Sequence, residues 1–256
     1  MIQIVVLALL QSLTEFLPVS SSGHLILLPF LMRWQAQGIA VDIGLHIGTL
    51  LAVIVYFKKD IWHLLQSLFI KGKSKTLLLN LFIASVPIAV AGVCLLPLWR
   101  MLRRNYTLVA IMLIVFGILL WLADKYAKKD GKITPKNALI IGLAQCLSLI
   151  PGVSRSGITI TAARLCQVSR TEATRFSMLL SIPTISMAFV WVLYRSFIQN
   201  IPFDFNLQFQ LGMLFAFIFG LMVIFALMRF VKNHSFWVFM LYRIILGCFL
   251  LLYIWL

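Results

Sequence analysis

Long apolar runs constrain this chain before any other feature does. Six stretches, about residues 39–57, 76–97, 107–123, 176–195, 209–230 and 236–256, are poor in charge. Each is long enough to serve as a bilayer span, because about 20 apolar residues in helical geometry cross a hydrocarbon core of about 30 Å. Apolar residues make up 62% of the 256-residue chain and charged residues 11%. Soluble domains carry about half and about a quarter, so the excess must face something other than water. Each span must also satisfy its own backbone in lipid, which leaves helices. The expectation is an all-α integral membrane protein, a single polytopic domain over residues 1–256. Cys94, Cys146, Cys166 and Cys248 lie in apolar segments without metal-like spacing and read as packing residues. No basic residue precedes Gln11, so a cleaved signal peptide is not expected.

Two further apolar stretches do not read as spans. Residues 2–31 are interrupted by LPVSSSGH at 17–24, and residues 138–165 by PGVSRSG at 151–157. Each half is too short to cross, and Pro18, Gly23, Pro151 and Gly157 break the helix. Broken polar backbone at membrane depth is tolerated only where protein covers it or water reaches it. Both stretches therefore read as re-entrant helix–loop–helix pairs. They also resemble each other. QSLTEFLPVSSSG (11–23) laid without gaps on QCLSLIPGVSRSG (145–157) gives six identities in thirteen positions. That suggests an internal duplication, with one repeat over about 1–123 and the other over about 135–256.

Charge sets the sides. The net charge is +15, and much of it sits in short loops between apolar runs. Lys58, Lys59, Lys71, Lys73 and Lys75 fall in one loop, and Lys125, Lys128, Lys129, Lys132 and Lys136 in another. This is the loop bias of membrane proteins, not a nucleic-acid footprint, and no nucleic-acid partner is expected. It places loops 58–75, 124–136 and 229–235 in the cytoplasm and both termini outside. Arg100, Arg103 and Arg104 in an outer loop run against the count. The first re-entrant pair then enters from the outer side and the second from the cytoplasmic side. Such an inverted repeat brings the two tips together near mid-membrane.

The tips carry chemistry. Ser20, Ser21, Ser22, His24, Ser154, Arg155 and Ser156 would converge, with Gln11 and Glu15 behind them. Ionisable groups at membrane depth are costly and point to function. A helix restarts after each loop, at Gly23 and Gly157, and its free N–H groups favour anions. Arg155 adds a guanidinium fork suited to phosphate oxygens. The plainer alternative has Arg155 capping carbonyls or pairing with Glu15, but that would not require two serine-rich breaks. Gln11 and Glu15 share a helix face, and two oxygen donors beside phosphates suit a hard divalent cation. Ser21 and His24 are neighbours at a helix start. The imidazole could remove the hydroxyl proton, attack phosphorus itself, or serve the leaving group or water; the residues alone leave these open. His46 could face the site or hydrogen-bond a neighbouring helix, of which the structural reading is preferred; Asp42 is similar, nearer the surface, and His63 and His234 read as solvated.

Q-x-x-x-E-F-L-P-V-S-S-S-G-H at 11–24 and PGVSRSG at 151–157 resemble the two signatures of the undecaprenyl-diphosphate phosphatases of the bacitracin-resistance type. Weaker similarity continues in SRTEATRFSMLLSIP (169–183) and YRIILG (242–247). The resemblance implies hydrolysis of undecaprenyl diphosphate to the monophosphate. It implies a site opening to the outer or periplasmic side of the bacterial cytoplasmic (inner) membrane, in the service of cell-wall synthesis. It implies a divalent cation, Mg²⁺ or Ca²⁺, near Glu15 and Gln11. Ser21 is implied as nucleophile, His24 as acid/base and Arg155 as phosphate clamp, with Ser20, Ser22, Gly23, Ser154, Ser156 and Gly157 around the substrate. Partners would be the lipid substrate and the bilayer, with a homo-oligomer left open. The family often carries Glu where this chain has Gln11, which removes a negative charge from the metal position. An inverted repeat with broken helices also suits a transporter of undecaprenyl phosphate, the alternative reading.

Overall fold

The computed structural model describes residues 1–32, 34, 38–69, 74–95, 101–102, 105–127, 131–199 and 205–255. Of the charges used above, Lys71, Lys73, Arg100, Arg103, Arg104, Lys128 and Lys129 lie outside the described residues. In chain order the helices are α1 (Ile2–Phe16), α2 (Ser21–Leu31), α3 (Ile39–Tyr56), α4 (Lys58–Ser67), α5 (Ser74–Cys94) and α6 (Tyr106–Tyr126). They continue with α7 (Pro135–Gln145), a 3₁₀ turn (Cys146–Leu149), α8 (Arg155–Leu165), α9 (Arg170–Ile198), α10 (Leu207–Asn233) and α11 (Trp237–Trp255). Among the described residues, strand pairing is confined to an isolated bridge between Gly131 and Val168.

Five helices, α5, α6, α9, α10 and α11, are long and apolar enough to cross a bilayer. The remaining expected span is α3, which bends by 75° into α4, and the pair together meets the same requirement. The expected span 176–195 is the apolar part of a longer helix that begins at Arg170. α1 and α2, at 15 and 11 residues, reach only about 22 and 16 Å and are separated by the expected break.

The outer surface is apolar. On α5 the exposed side chains Leu79, Phe82, Val86, Val90 and Val93 form a stripe at helical spacing, and Leu214, Ile218, Met222 and Phe225 do the same on α10. An apolar stripe turned outward identifies lipid as the solvent. The chain is a multi-pass, all-α membrane protein.

Helices buried in lipid gain little from apolar burial against each other, so close packing decides the contacts. On α3, Gly44, Gly48 and Ala52 repeat every four residues and lie against Phe209, Ala216 and Gly220 of α10 in turn. A Cβ added at Gly48 would sit 2.2 Å from the Met213 carbonyl oxygen, and one at Gly220 would sit 2.8 Å from Ala52 Cβ. Only glycine allows these backbones to meet. α1 packs on α10, and α7 packs on α5, so each short helix leans on a long helix from the other half of the chain.

A buried ionic network closes the end where α6, α8, α9 and α11 meet. Asp124 Oδ1 accepts from Arg164 Nε at 3.0 Å and from Arg170 Nε at 2.8 Å, and its Oδ2 accepts from the Phe236 N–H at 3.2 Å. Arg164 and Asp124 are each 1% exposed. Nearby along α9, Arg175 pairs with Glu172 and reaches Asp60 on α4. This network fixes the base of α8, whose first residue, Arg155, belongs to the site.

Candidate active site

Both tips turn on the same strained backbone. Ser20 has φ 81° and Ser154 has φ 76°, a left-handed region that costs a residue with a side chain about 1–3 kcal/mol. The two serines occupy equivalent positions in the thirteen-residue alignment. After each, a helix restarts, α2 at Ser21 and α8 at Arg155. Ser154 Oγ accepts the Gly157 N–H at 3.0 Å and so caps α8.

Glu15, near the end of α1, is where the two tips meet. Its Oε1 accepts from Arg155 Nη2 at 2.7 Å. Its Oε2 accepts from Ser21 Oγ at 2.9 Å and from Gln11 Nε2 at 3.2 Å. His46 Nε2, from α3, lies 3.8 Å from the same Oε2. Arg155 also donates through Nη1 to the Ser177 carbonyl at 2.9 Å. The guanidinium thus does both things the plainer alternative proposed, capping a carbonyl and pairing with Glu15. It also retains N–H groups beyond these two bonds. Because Ser21 and Arg155 bond to the two oxygens of one carboxylate, hydroxyl and guanidinium lie within the reach of one small anionic headgroup. Glu15 is 7% exposed and the Arg155 side chain 13%, whereas Ser21 is half-buried.

The other predicted residues take different places. His24 is not the partner of Ser21. Its Nδ1 lies 2.7 Å from the Ser20 carbonyl, which can only accept, so Nδ1 carries the proton. Its Nε2, 2.6 Å from the Tyr242 hydroxyl, is then the acceptor in the neutral ring, and the two rings stack. The group beside Ser21 is the Glu15 carboxylate, delivered by α1 where sequence spacing suggested an imidazole. Ser154 and Ser156 are buried and face each other at 3.2 Å, and Ser156 Oγ donates to the Leu17 carbonyl at 3.1 Å. These hydroxyls brace tip against tip. Gly157 has its N–H spent on Ser154, and a Cβ there would sit 3.0 Å from Arg243 Nη1. Ser20 and Gly23 are buried in the turn. The Ser22 side chain lies outside the described residues. Gln11 is fully buried, and its Oε1 has no hydrogen-bond partner among the described residues.

Sequence reasoning missed four neighbours. His46, read as structural, stands at the Glu15 carboxylate. Ser177 fixes Arg155 through its carbonyl, and its Oγ lies 2.7 Å from Thr159 Oγ1. Tyr242 holds His24, and Arg243 reaches both tips. Two signals were available: the YR pair at the start of the weaker match at 242–247, an arginine within an otherwise apolar run, and the weaker match at 169–183, which contains Ser177.

The similarity to known proteins extends over nearly the whole chain. The family model described as "Bacitracin resistance protein BacA" matches residues 4–249. The chain is similar to a protein named undecaprenyl-diphosphatase from Geobacter sulfurreducens, 42% identical over 259 residues that cover 97% of this chain and 96% of the relative. A protein of the same name from Elusimicrobium minutum is 44% identical over 247 residues, 95% of this chain and 94% of the relative. Another from Campylobacter curvus is 39% identical over 258 residues, 98% and 97% respectively.

Proposed function

Since the chain belongs to the bacitracin resistance protein BacA family, we propose that it is an undecaprenyl-diphosphate phosphatase. It removes the terminal phosphate of the lipid diphosphate and returns undecaprenyl phosphate to cell-wall synthesis, with bacitracin resistance as the consequence. The observation that carries this reading is the single carboxylate of Glu15 receiving the Ser21 hydroxyl from one tip and the Arg155 guanidinium from the other.

The prenyl chain stays in lipid against the apolar stripes, and the diphosphate reaches the tips from the outer face of the bacterial cytoplasmic membrane. The swapped pairings of α1 with α10 and α7 with α5 support two inverted halves as the origin of this site. Arg155 sets a permanent positive charge beside the hydroxyl, where phosphate charge must be balanced. Ser21 Oγ forms a bond to the terminal phosphorus as Glu15 accepts its proton, and the bond from that phosphorus to the bridging oxygen breaks, leaving undecaprenyl phosphate. Water then displaces the phosphate from Ser21, which regains its proton. Glu15 returns its proton to Ser21 Oγ and the water's protons leave with the phosphate, while His24, held at both ring nitrogens by the Ser20 carbonyl and the Tyr242 hydroxyl, fixes the start of α2.

A hard cation fits the donor set. Gln11 Oε1 is a buried oxygen without a partner among the described residues, one helical turn from the Glu15 carboxylate. Among the described residues no group of three or more His, Cys, Asp or Glu forms a self-sufficient metal site, so Gln11 and Glu15 would hold Mg²⁺ or Ca²⁺ together with substrate oxygens. The ion supplies charge neutralisation on the diphosphate when bound.

The test is inorganic phosphate release from undecaprenyl diphosphate by the purified protein in detergent, with and without chelator. Release is expected, lost on chelation and restored by Mg²⁺ or Ca²⁺. A folded protein that releases no phosphate with either cation present overturns the assignment.

A further inference from the structure

We propose that Arg243 is a positioning residue for the phosphatase reaction: it fixes the register of the two tips, and so the placing of Ser21 against Arg155. The inference rests on the function proposed above. Arg243 lies on α11, far along the chain from either tip, and is fully buried. Five backbone carbonyls accept from its guanidinium. Two belong to α6, Leu113 at 3.0 Å and Met112 at 3.2 Å. One is Pro18 in the first tip, at 3.1 Å. Two are in the second tip, Gly152 at 2.9 Å and Val153 at 3.1 Å. Among the described residues no carboxylate pairs with it.

The arrangement has a specific logic. A re-entrant tip leaves carbonyls without helical partners, and in lipid those carbonyls must be satisfied by protein. Arg243 satisfies three of them from two different tips with one planar, rigid fork, so the tips cannot shift relative to each other without losing bonds. The residues it holds stand close to the reacting groups. Pro18 is three positions before Ser21, and Val153 is two before Arg155. The neighbouring Tyr242 fastens His24, so α11 contacts both the first tip's imidazole and the joint between the tips. Arg243 touches neither Ser21, Glu15 nor Arg155 in any hydrogen bond, so its effect is on their placing.

Space for the fork is built in. A Cβ added at Gly117 on α6 would sit 3.1 Å from Arg243 Cβ and 3.5 Å from its Cδ and Nε. Gly117→Ala therefore presses on the stem of Arg243 while keeping its charge and every donor.

Two variants test the inference in the same phosphate-release assay. Arg243→Lys keeps the charge but offers a point donor on a flexible stem in place of the fork. Arg243→Lys is expected to lower kcat about 100-fold, the scale of a misplacement near 1 Å, with KM unchanged because Arg243 does not meet substrate. Gly117→Ala is expected to lower kcat in the same direction by about 10-fold, and it decides the matter if the lysine variant does not fold. Wild-type kcat in a folded Arg243→Lys protein, or in Gly117→Ala where only that variant folds, overturns the proposal. So does a rise in KM at unchanged kcat. Wild-type protein run alongside separates the two levels: if it releases no phosphate, the proposed function fails, and if it is active while the variants match it, only the role of Arg243 fails.

Discussion

Replacing Glu15 by glutamine separates catalysis from architecture at the point where the two tips meet. The amide has nearly the shape of the carboxylate, and its oxygen can still accept from Arg155 or Ser21, so the change removes one charge and one acceptor. Two hydrogen bonds at 2.7 and 2.9 Å go from charge-assisted to neutral or are lost, each a loss of about 1 kcal/mol. Leaving a buried ion-pair partner wholly uncompensated costs about 3–5 kcal/mol, but here the Ser177 carbonyl still holds Arg155. A destabilisation of about 1–3 kcal/mol is therefore expected, small enough for Glu15→Gln to remain folded. Turnover should suffer far more. Without a proton acceptor for Ser21, kcat should fall by about 10²–10⁴. KM should hold or decrease, because a guanidinium released from the carboxylate is freer to meet phosphate. The assay is phosphate release at saturating lipid, read beside a thermal melt and repeated over a series of Mg²⁺ concentrations. A folded Glu15→Gln protein that keeps more than about a tenth of wild-type kcat refutes the assignment of Glu15 as base. Full recovery at high Mg²⁺ refutes it too, since the loss would then belong to the cation site.

Ser21→Ala removes the attacking oxygen together with one bond on Glu15, so phosphate release should disappear while the melt stays close to wild type; undiminished release in folded protein excludes Ser21 as nucleophile. Asp124→Ala strips the partner from Arg164, which is 1% exposed, and should destabilise by about 3–5 kcal/mol. The readout is a lowered melting temperature in detergent, and an unchanged melt would show that this network does not hold the base of α8.

The fold was largely legible because lipid simplifies the code. A long apolar run reports a span whatever its neighbours, and five of the six expected spans are single helices. α3 matches the expected 39–57 in extent but continues through a 75° bend into α4, which begins at Lys58. The two breaks were equally clear, since proline and glycine in an apolar run have few uses. The convergence of Glu15, Ser21 and Arg155 was legible as well, for the three side chains do meet. Their pairing was not. Spacing along one helix put Ser21 beside His24, but the 2.9 Å bond to Glu15 crosses from α2 back to α1, and local periodicity cannot report contacts across a turn. Arg243 and Asp124 were missed for a related reason. Each sits in or beside an apolar span, and its partners lie between 40 and 225 residues away along the chain.

The two buried arginines of the second half show how such a site can exist in a bilayer at all. Arg164 answers a carboxylate and closes one end of α8; Arg243 answers carbonyls and closes the other. The eleven-residue helix α8, which begins with Arg155 and carries Arg164 near its other end, runs from one to the other. Had the tips been satisfied by water, their carbonyls would compete with substrate oxygens for donors and their geometry would shift with hydration. Satisfied by one guanidinium, they leave the N–H groups of Arg155 beyond its bonds to Glu15 and Ser177 for an anion. Fixing donors before the anion arrives removes reorganisation from the reaction step, and a phosphoryl transfer, which asks mostly for charge balance and alignment, gains most from it. On the proposed function the two arginines depend on each other: Arg155 would meet phosphate at a defined place because Arg243 holds the backbone beside it.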